Sequence, residues 1–228
     1  MKHWLALTLV LAAFLSGTAF AEQALNSDAG INTHLPWSLS KNKTGIQVYT
    51  RPDPSSPLDE FKGVTELTAR LSSLVALVRD TDNTKKWMHR SGGTQVLERV
   101  NSSEQILRTI TLSPWPVSDR DVVLRATQQQ HLDTLTITIS LQSIDGHSEK
   151  RRGYVRMPSL VGKWVFQPLK EGVVRVSYQV RANPGGSIPA WLAGDSSIDM
   201  PFQTLKNMRA MLEEPAYADA TVEAVIEP

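Results

Sequence analysis

The residues best placed to do chemistry in this chain lie in one short segment, residues 114–121, which reads Pro-Trp-Pro-Val-Ser-Asp-Arg-Asp. Each proline fixes its own φ and biases the residue before it toward extended structure, so the segment is a stiff turn that holds Trp115. A tryptophan held in this way fills or closes a space. Arg120 begins the next strand and either meets an anionic or hydroxyl head group of a ligand, or pairs with Asp119, Asp121 or another acid and pins the loop. We favour the ion pair, because buried arginines usually have a partner.

Residue types that usually carry catalysis or bind metals are absent or scattered. The chain contains no cysteine, which excludes disulfides, thiolate nucleophiles and cysteine-rich metal sites. It contains no Gly-x-Ser-x-Gly elbow and no phosphate-binding glycine loop. The histidines beyond residue 21 show no ligand spacing, and they are His34, His89, His131 and His147. We therefore predict no catalytic residue, no metal ion and no cofactor.

The first 21 residues are predicted to be an export signal. Lys2 gives a positive start, Leu5–Leu15 is an apolar run, and Ala19–Ala21 supplies a small-x-small cleavage site. We expect cleavage after Ala21 and a periplasmic or secreted protein, with an uncleaved anchor as the alternative. Loss of Lys2 lowers the basic count from 24 to 23, which equals the 23 acidic residues. A neutral mature protein has no electrostatic reason to bind nucleic acid.

Alternating apolar and polar residues predict a protein built mainly of β-strands, with one domain over residues 37–214. The predicted strands are residues 45–50, 61–69, 94–101, 104–113, 120–130, 133–143, 154–169 and 172–182. Their close, consecutive spacing favours an antiparallel meander. Residues 22–36 are expected to form a flexible arm, and residues 215–228 a loosely ordered tail.

Helices are predicted at two places in this order of strands. Two short helices follow the second strand, over residues 72–78 and 81–88, and Gly92–Gly93 is expected to end the second. A long C-terminal helix is predicted to start at Ser187, as its N-cap, and to run to Leu212, because an apolar stripe repeats there at helical spacing. Pro201 lies inside this pattern and should bend or restart the helix.

Several of these motifs, taken in their order, resemble the START family of StAR-related lipid-transfer domains over about residues 37–214. The motifs are Trp87 after the short helices, Pro114–Pro116 followed by Arg120 and Asp121, and the run Pro184–Leu192 leading to Asp199–Phe202. The resemblance implies an α+β, helix-grip (START/Bet v 1-like) fold, in which a curved antiparallel sheet wraps around the long C-terminal helix, with two short helices after the early strands. It also implies one internal cavity for a lipid or other apolar ligand. The C-terminal helix and the loop Ser113–Asp119 would act as its lid.

Candidate ligand-binding residues follow from this implied arrangement. The candidates for lid and cavity wall are Trp115, Trp191, Phe202, Leu205 and Met208. Two polar residues, Arg120 and Tyr178, are candidates to contact the head group of a ligand. Because alternation does not reveal which sheet face lines the cavity, Arg108, Arg125 and Arg175 are further candidates on the strands. Ordinary core packing is the alternative for every one of the apolar candidates.

Three functions are compatible with these features. We favour an exported, non-enzymatic monomer that binds or transfers a lipid or another hydrophobic small molecule, with Lys150–Arg152 as a candidate for transient membrane contact. The main alternative is an enzyme like the polyketide cyclases and aromatases, which would need convergent polar groups in the same cavity, such as Arg120 with Tyr178. The third is an interaction module whose cavity has collapsed, and the absence of any void above about 300 Å³ would favour it.

Overall fold

A computed structural model of the protein describes residues 35–228, so the predicted export signal and nearly all of the predicted arm lie outside the described residues. The strands are β1 Ser38–Lys43, β2 Ile46–Arg51, β3 Glu60–Thr68, β4 Ser91–Arg99, β5 Glu104–Thr111, β6 Asp119–Gln130, β7 Ile137–Ser143, β8 Tyr154–Arg156, β9 Ser159–Pro168 and β10 Val173–Asn183. The helices are α1 Leu71–Arg79, α2 Thr84–Trp87, α3 Ala190–Met211 and α4 Pro215–Ala218.

The strands of the described chain form one curved sheet in the order β1-β2-β3-β10-β9-β7-β6-β5-β4, with β8 beside β6. Every pair is antiparallel except β6 and β8, which run parallel. The helix α3 crosses the face of β2 and β3. This arrangement confirms the predicted α+β helix-grip fold. None of the described helices is long and apolar enough to cross a membrane.

The alternation in the sequence places one set of side chains on the concave face of the sheet. In β10, Val174, Val176 and Tyr178 are buried, whereas Arg175 between them is exposed. This period of two is the geometry of a strand with one covered face. The covered face is therefore the one on which α1 and α3 lie.

One half of the concave face is a solid core. It lies where α1 and the C-terminal half of α3 pack on β2, β3, β9 and β10. Gly63 on β3 allows α3 to approach closely, because a Cβ at that position would lie 2.8 Å from Cδ1 of Leu205 and 3.0 Å from Cβ of Pro201. Large side chains fill this half completely, among them Trp87, Trp164, Phe166, Leu205 and Met208.

Some predicted boundaries were wrong, and turn chemistry explains most of them. The strand predicted at 133–143 begins only at Ile137, because residues 131–136 form a turn in which Leu135 has a φ of 54°. The single strand predicted at 154–169 is two strands, β8 beside β6 and β9 beside β7. Gly92–Gly93 does not follow a helix end but lies in β4, where a Cβ on Gly92 would come within 2.5 Å of Ile110.

The C-terminal region also differs from the prediction. The helix α3 begins after Pro189, not at a Ser187 cap, and continues through Pro201 without a restart. Residues 215–228, expected to be loosely ordered, contact the domain. The Tyr217 hydroxyl donates to Asp80 at 2.7 Å, and the Glu227 carboxylate accepts the backbone N–H groups of Leu71 and Ser72 at the start of α1, at 3.0 and 2.8 Å. The tail therefore supplies the N-terminal cap that α1 lacks in its own sequence.

Candidate ligand cavity

The second half of the concave face is hollow. A cavity of about 230 Å³ lies between β4–β7, the adjoining parts of β9 and β10, the segment around Met88–Arg90 and the N-terminal half of α3. Its wall is mainly apolar, with Leu107, Leu124, Ile139, Leu141, Leu160, Val180, Leu192 and Met200 among the lining residues. At about 230 Å³ the cavity is below the about 300 Å³ at which usual ligand pockets begin, which is the size condition stated above for a collapsed module, but its apolar wall surrounds a hollow and not a filled interior.

The contrast between the two halves comes from side-chain size along α3. Its C-terminal half carries Phe202, Leu205 and Met208, which fill the space over β2 and β3. Its N-terminal half presents Ser196 and Ser197 to the cavity, and these small side chains leave space over β5–β7. The two serines were not predicted to line the cavity, although the run of small residues before Met200 indicated a segment of the helix that leaves space.

Arg120 connects the two elements expected to form the lid. It is 4% exposed and borders the cavity. One terminal nitrogen donates to the Ser113 hydroxyl at 3.3 Å and to the Ser118 carbonyl, which lie at the two ends of the loop 113–118. The other donates to the carbonyls of Gly185 and Ser187, at 3.4 and 3.3 Å, in the segment that leads into α3. One guanidinium thus holds the loop and the start of the helix together.

The expected ion pair of Arg120 is not formed within the described residues, so that prediction was wrong; its partners are backbone carbonyls and the Ser113 hydroxyl. Burial lowers the pKa of Arg120, and the nearby charge of Asp119 offsets part of that effect. Asp119 instead accepts the Ser113 backbone N–H at 2.8 Å. The side-chain Nε of Arg120 has no hydrogen-bond partner among the described residues.

Asp121, the other predicted partner, is occupied by two different arginines. It is 1% exposed and accepts Nε and Nη2 of Arg108 at 2.9 and 2.6 Å, and Nε and Nη2 of Arg156 at 2.9 and 3.0 Å. Burial alone would raise the pKa of Asp121, but the hydrogen bonds from Arg156 and Arg108 hold it below its usual value. Because Arg156 lies on β8, this cluster fixes β8 to the sheet beside the lid loop.

Tyr178 lies on the wall between the core and the cavity. Its ring stacks on Trp164 at 4.0 Å with an interplanar angle of 7°, and it meets the edge of Phe61 at 5.3 Å. Tyr178 is 6% exposed, and its hydroxyl makes no hydrogen bond within the described residues. Burial raises the pKa of Tyr178, so the hydroxyl stays protonated and can act as a neutral donor.

The seven predicted site residues therefore fall into three groups. Arg120 and Tyr178 line the cavity. Phe202, Leu205 and Met208 lie in the solid core, where packing is their visible role. Trp115 and Trp191 are 92% and 57% exposed and do not line the cavity, because both side chains point toward solvent. Of the further arginine candidates, Arg125 and Arg175 form exposed ion pairs with Glu104 and Glu66.

Comparison with known proteins gives a consistent picture. The family model described as START domain matches residues 20–216. An uncharacterized protein of Pseudomonas aeruginosa is 33% identical over 216 residues, which is 94% of this chain and 100% of that protein. The phosphatidylcholine transfer protein of Rattus norvegicus is 28% identical over 201 residues, covering 79% of this chain and 86% of that protein.

Solved structures agree with the sequence relatives. The crystal structure of a STAR-related lipid transfer protein from Xanthomonas axonopodis superposes with a TM-score of 0.71 at 36% identity, covering 78% of this chain and 99% of that one. The human StAR-related lipid transfer protein 5 superposes with a TM-score of 0.70 at 16% identity, covering 87% and 91%. At 16% identity, the similarity to the human protein shows only that the two proteins share a fold.

Proposed function

The chain belongs to the START domain family, and we propose that it binds or transfers a lipid or another hydrophobic small molecule in the cavity, without catalysing a reaction. We also propose that it is exported, because residues 1–21 have the pattern of an export signal. The observation that carries the proposal is the apolar hollow over half of the concave face, next to a half that is tightly packed. Each Å² of apolar ligand surface removed from water contributes about 25 cal/mol, so burial alone can hold such a ligand.

Entry of a ligand requires the lid to move, since the sheet is continuous. The closure around Arg120 is made of long hydrogen bonds, since the donor–acceptor distances to the Ser113 hydroxyl and the carbonyls of Gly185 and Ser187 are 3.3–3.4 Å. We take separation of the loop 113–118 from the start of α3 as the opening step. A ligand larger than the cavity of about 230 Å³ would hold these elements further apart.

Native mass spectrometry tests ligand binding directly. The mature protein is purified from the export compartment, and its bound molecules are identified after organic extraction. Ala126 lines the cavity, and Ala126→Phe should fill part of it and reduce bound ligand at least about tenfold. Gln129→Phe is the matched control, because Gln129 is exposed on the same strand. A wild-type protein that carries no apolar molecule and binds no neutral hydrophobic dye would contradict the proposal.

Export is tested by the N-terminus of the protein. Sequencing of protein isolated from the periplasm or medium should start at Glu22, directly after the predicted cleavage site. An intact Met1 on protein that stays with the cell membrane would refute cleavage and favour an uncleaved anchor.

Transient membrane contact is the part of the proposal that concerns delivery. Trp115 and Trp191 are exposed on the two lid elements, and tryptophan is favoured at the membrane interface. Lys150–Arg152 precede β8, which pairs with the first residues of β6 after the lid loop, so the basic run lies at the same end of the sheet. Trp115→Ala should lower the rate of ligand transfer to phosphatidylglycerol vesicles and leave the amount of bound ligand unchanged. Unchanged transfer would argue against contact through the lid.

The enzyme alternative has less support. Arg120 and Tyr178 both border the cavity, as that alternative required. However, the terminal nitrogens of Arg120 donate to carbonyls and the Ser113 hydroxyl, and burial keeps the Tyr178 hydroxyl in its protonated form. Cyclisation or dehydration also needs a general base. His89 and Asp59 line the cavity, but neither side chain is hydrogen-bonded to Arg120 in the described part of the chain. We therefore favour binding without turnover.

A further inference from the structure

Two glutamine side chains face the mainly apolar cavity from neighbouring strands, near one of its ends. Gln105 on β5 is 8% exposed, and its amide makes no hydrogen bond within the described residues. Gln128 on β6 also lines the cavity, and its Oε1 is fully buried without a hydrogen-bond partner in the described part of the chain. Neither residue was a candidate from the sequence.

The register of the sheet brings these two amides together. Gln105 lies opposite Ala126, and Gln128 is two residues further along the same strand. Such diagonal neighbours share one sheet face at about 7–8 Å, within reach of two long side chains. Arg120 lies eight residues earlier on β6, about 26 Å away at the usual strand rise. The two amides and the lid arginine therefore mark opposite ends of the hollow face.

Unpartnered buried amides are costly. Leaving one buried donor or acceptor unsatisfied costs the full desolvation penalty of that group, and the large majority of buried polar groups in proteins have a partner. A leucine has nearly the same shape as glutamine and would line this wall without that cost. Gln128 Oε1 is such a buried group, and the Gln105 amide faces the same cavity from the neighbouring strand, so a hydrogen-bonding partner from outside the chain would satisfy both.

We propose that Gln105 and Gln128 form a subsite for a neutral polar group of the ligand, a hydroxyl, carbonyl or amide, whose apolar body extends toward Arg120. The inference rests on the proposed function, since it needs a ligand in the cavity. A glutamine amide offers both donors and an acceptor but no charge. Arg79 also borders the cavity, and its Nη2 donates to the Ser102 carbonyl at 2.8 Å, which leaves its positive charge in place. The two amides themselves carry no counter-charge for an ionised head group.

Displacement of a bound dye tests the subsite. The mature protein is loaded with the neutral fluorescent dye N-phenyl-1-naphthylamine, and the dye is displaced with octan-1-ol or with 1-chlorooctane, which has a similar apolar body and no hydroxyl. Octan-1-ol should displace the dye about tenfold more strongly from the wild type, the ratio expected for about 1.4 kcal/mol. In the double variant Gln105→Leu/Gln128→Leu, this preference should fall to one or below, because the hydroxyl would then be buried without a hydrogen-bond partner. Gln129→Leu, on the exposed side of β6, should keep it.

The outcomes separate the subsite from the proposed function. Dye binding with no preference for octan-1-ol, or a preference that survives in the double variant, would refute the subsite and leave the ligand cavity intact. Failure of the wild type to bind dye or either displacer would count against the cavity itself. Thermal unfolding adds an independent readout: the double variant should melt at least a few degrees higher, because two unpartnered amides are removed. A lower melting temperature would mean that the glutamines serve the fold, and would also refute the subsite.

Discussion

Replacement of Asp121 by asparagine should destabilise the protein far more than loss of an ordinary surface ion pair. Asp121 is 1% exposed and receives four hydrogen bonds from Arg108 and Arg156, whose side chains are 12% and 14% exposed. An asparagine has nearly the same shape but no charge, and its amide group would face a guanidinium. Two poorly solvated cations would then lie side by side without an anion.

The expected loss is about 3–5 kcal/mol, the usual cost when one partner of a buried ion pair is removed. That is a large part of the about 5–15 kcal/mol by which proteins of this kind are stable. The matched control is Glu66→Gln, which removes the acid from the pair with Arg175, where the side chains are 51% and 44% exposed. Exposed pairs contribute about 0–1 kcal/mol, so the control should unfold almost like the wild type.

Urea unfolding of the mature proteins, followed by tryptophan fluorescence, measures both variants. At an unchanged m-value, the midpoint of the Asp121→Asn variant should fall well below that of Glu66→Gln. The difference should shrink in acid. Because the pKa of Asp121 is lowered in the folded protein, its contribution is present above the unfolded pKa of about 3.9 and is lost as the pH falls through the lower folded value. Equal midpoints for the two variants at neutral pH would refute this reasoning.

The remaining predictions concern the core, the tail and the lid. Leu205→Ala should cost about 2–5 kcal/mol in urea unfolding, since Leu205 is fully buried; a loss under about 1 kcal/mol would mean that α3 does not depend on this contact. Glu227→Ala removes the acceptor for the N–H groups of Leu71 and Ser72, and should cost about 0.5–2 kcal/mol; unchanged amide exchange at the start of α1 would contradict it. Arg120→Met should speed dye dissociation in stopped flow, because it releases the lid loop from the start of α3; an unchanged rate would show that the guanidinium does not hold the lid.

Most of the strands and their order along the chain were predictable, because each strand shows a local alternation of apolar and polar residues. The alternation of Val174, Val176 and Tyr178 identified β10 and its buried face, since the period of two belongs to the strand itself. The edge strand β1 is not among the predicted strands, because its residues show no alternation between a buried and an exposed face. The motifs around Trp87 and Arg120 carried the family resemblance, which the matching family model confirms.

The predictions about the site were less accurate, because contacts across the sheet decide them. The pairing of Asp121 with Arg156 joins residues 35 apart in sequence, and no local pattern shows that Arg120 beside it takes only the Ser113 hydroxyl and carbonyls as partners. The exposure of Trp115 and Trp191 depends on how the loop 113–118 meets α3, which is equally non-local.

The sequence by itself determined the class of fold, the approximate position of most strands, the loop 113–118 and the long C-terminal helix, since each depends on residues close together along the chain. Only the tertiary structure decided which part of the concave face is filled. That outcome depends on which side chains of α3 lie over which strands: Leu205 and Met208 close one half, whereas Ser196 and Ser197 leave the other open to the amides of Gln105 and Gln128. Whether each half is filled or open depends on packing between segments that are far apart in the sequence. The spacing of residues within a single helix or strand does not determine that packing.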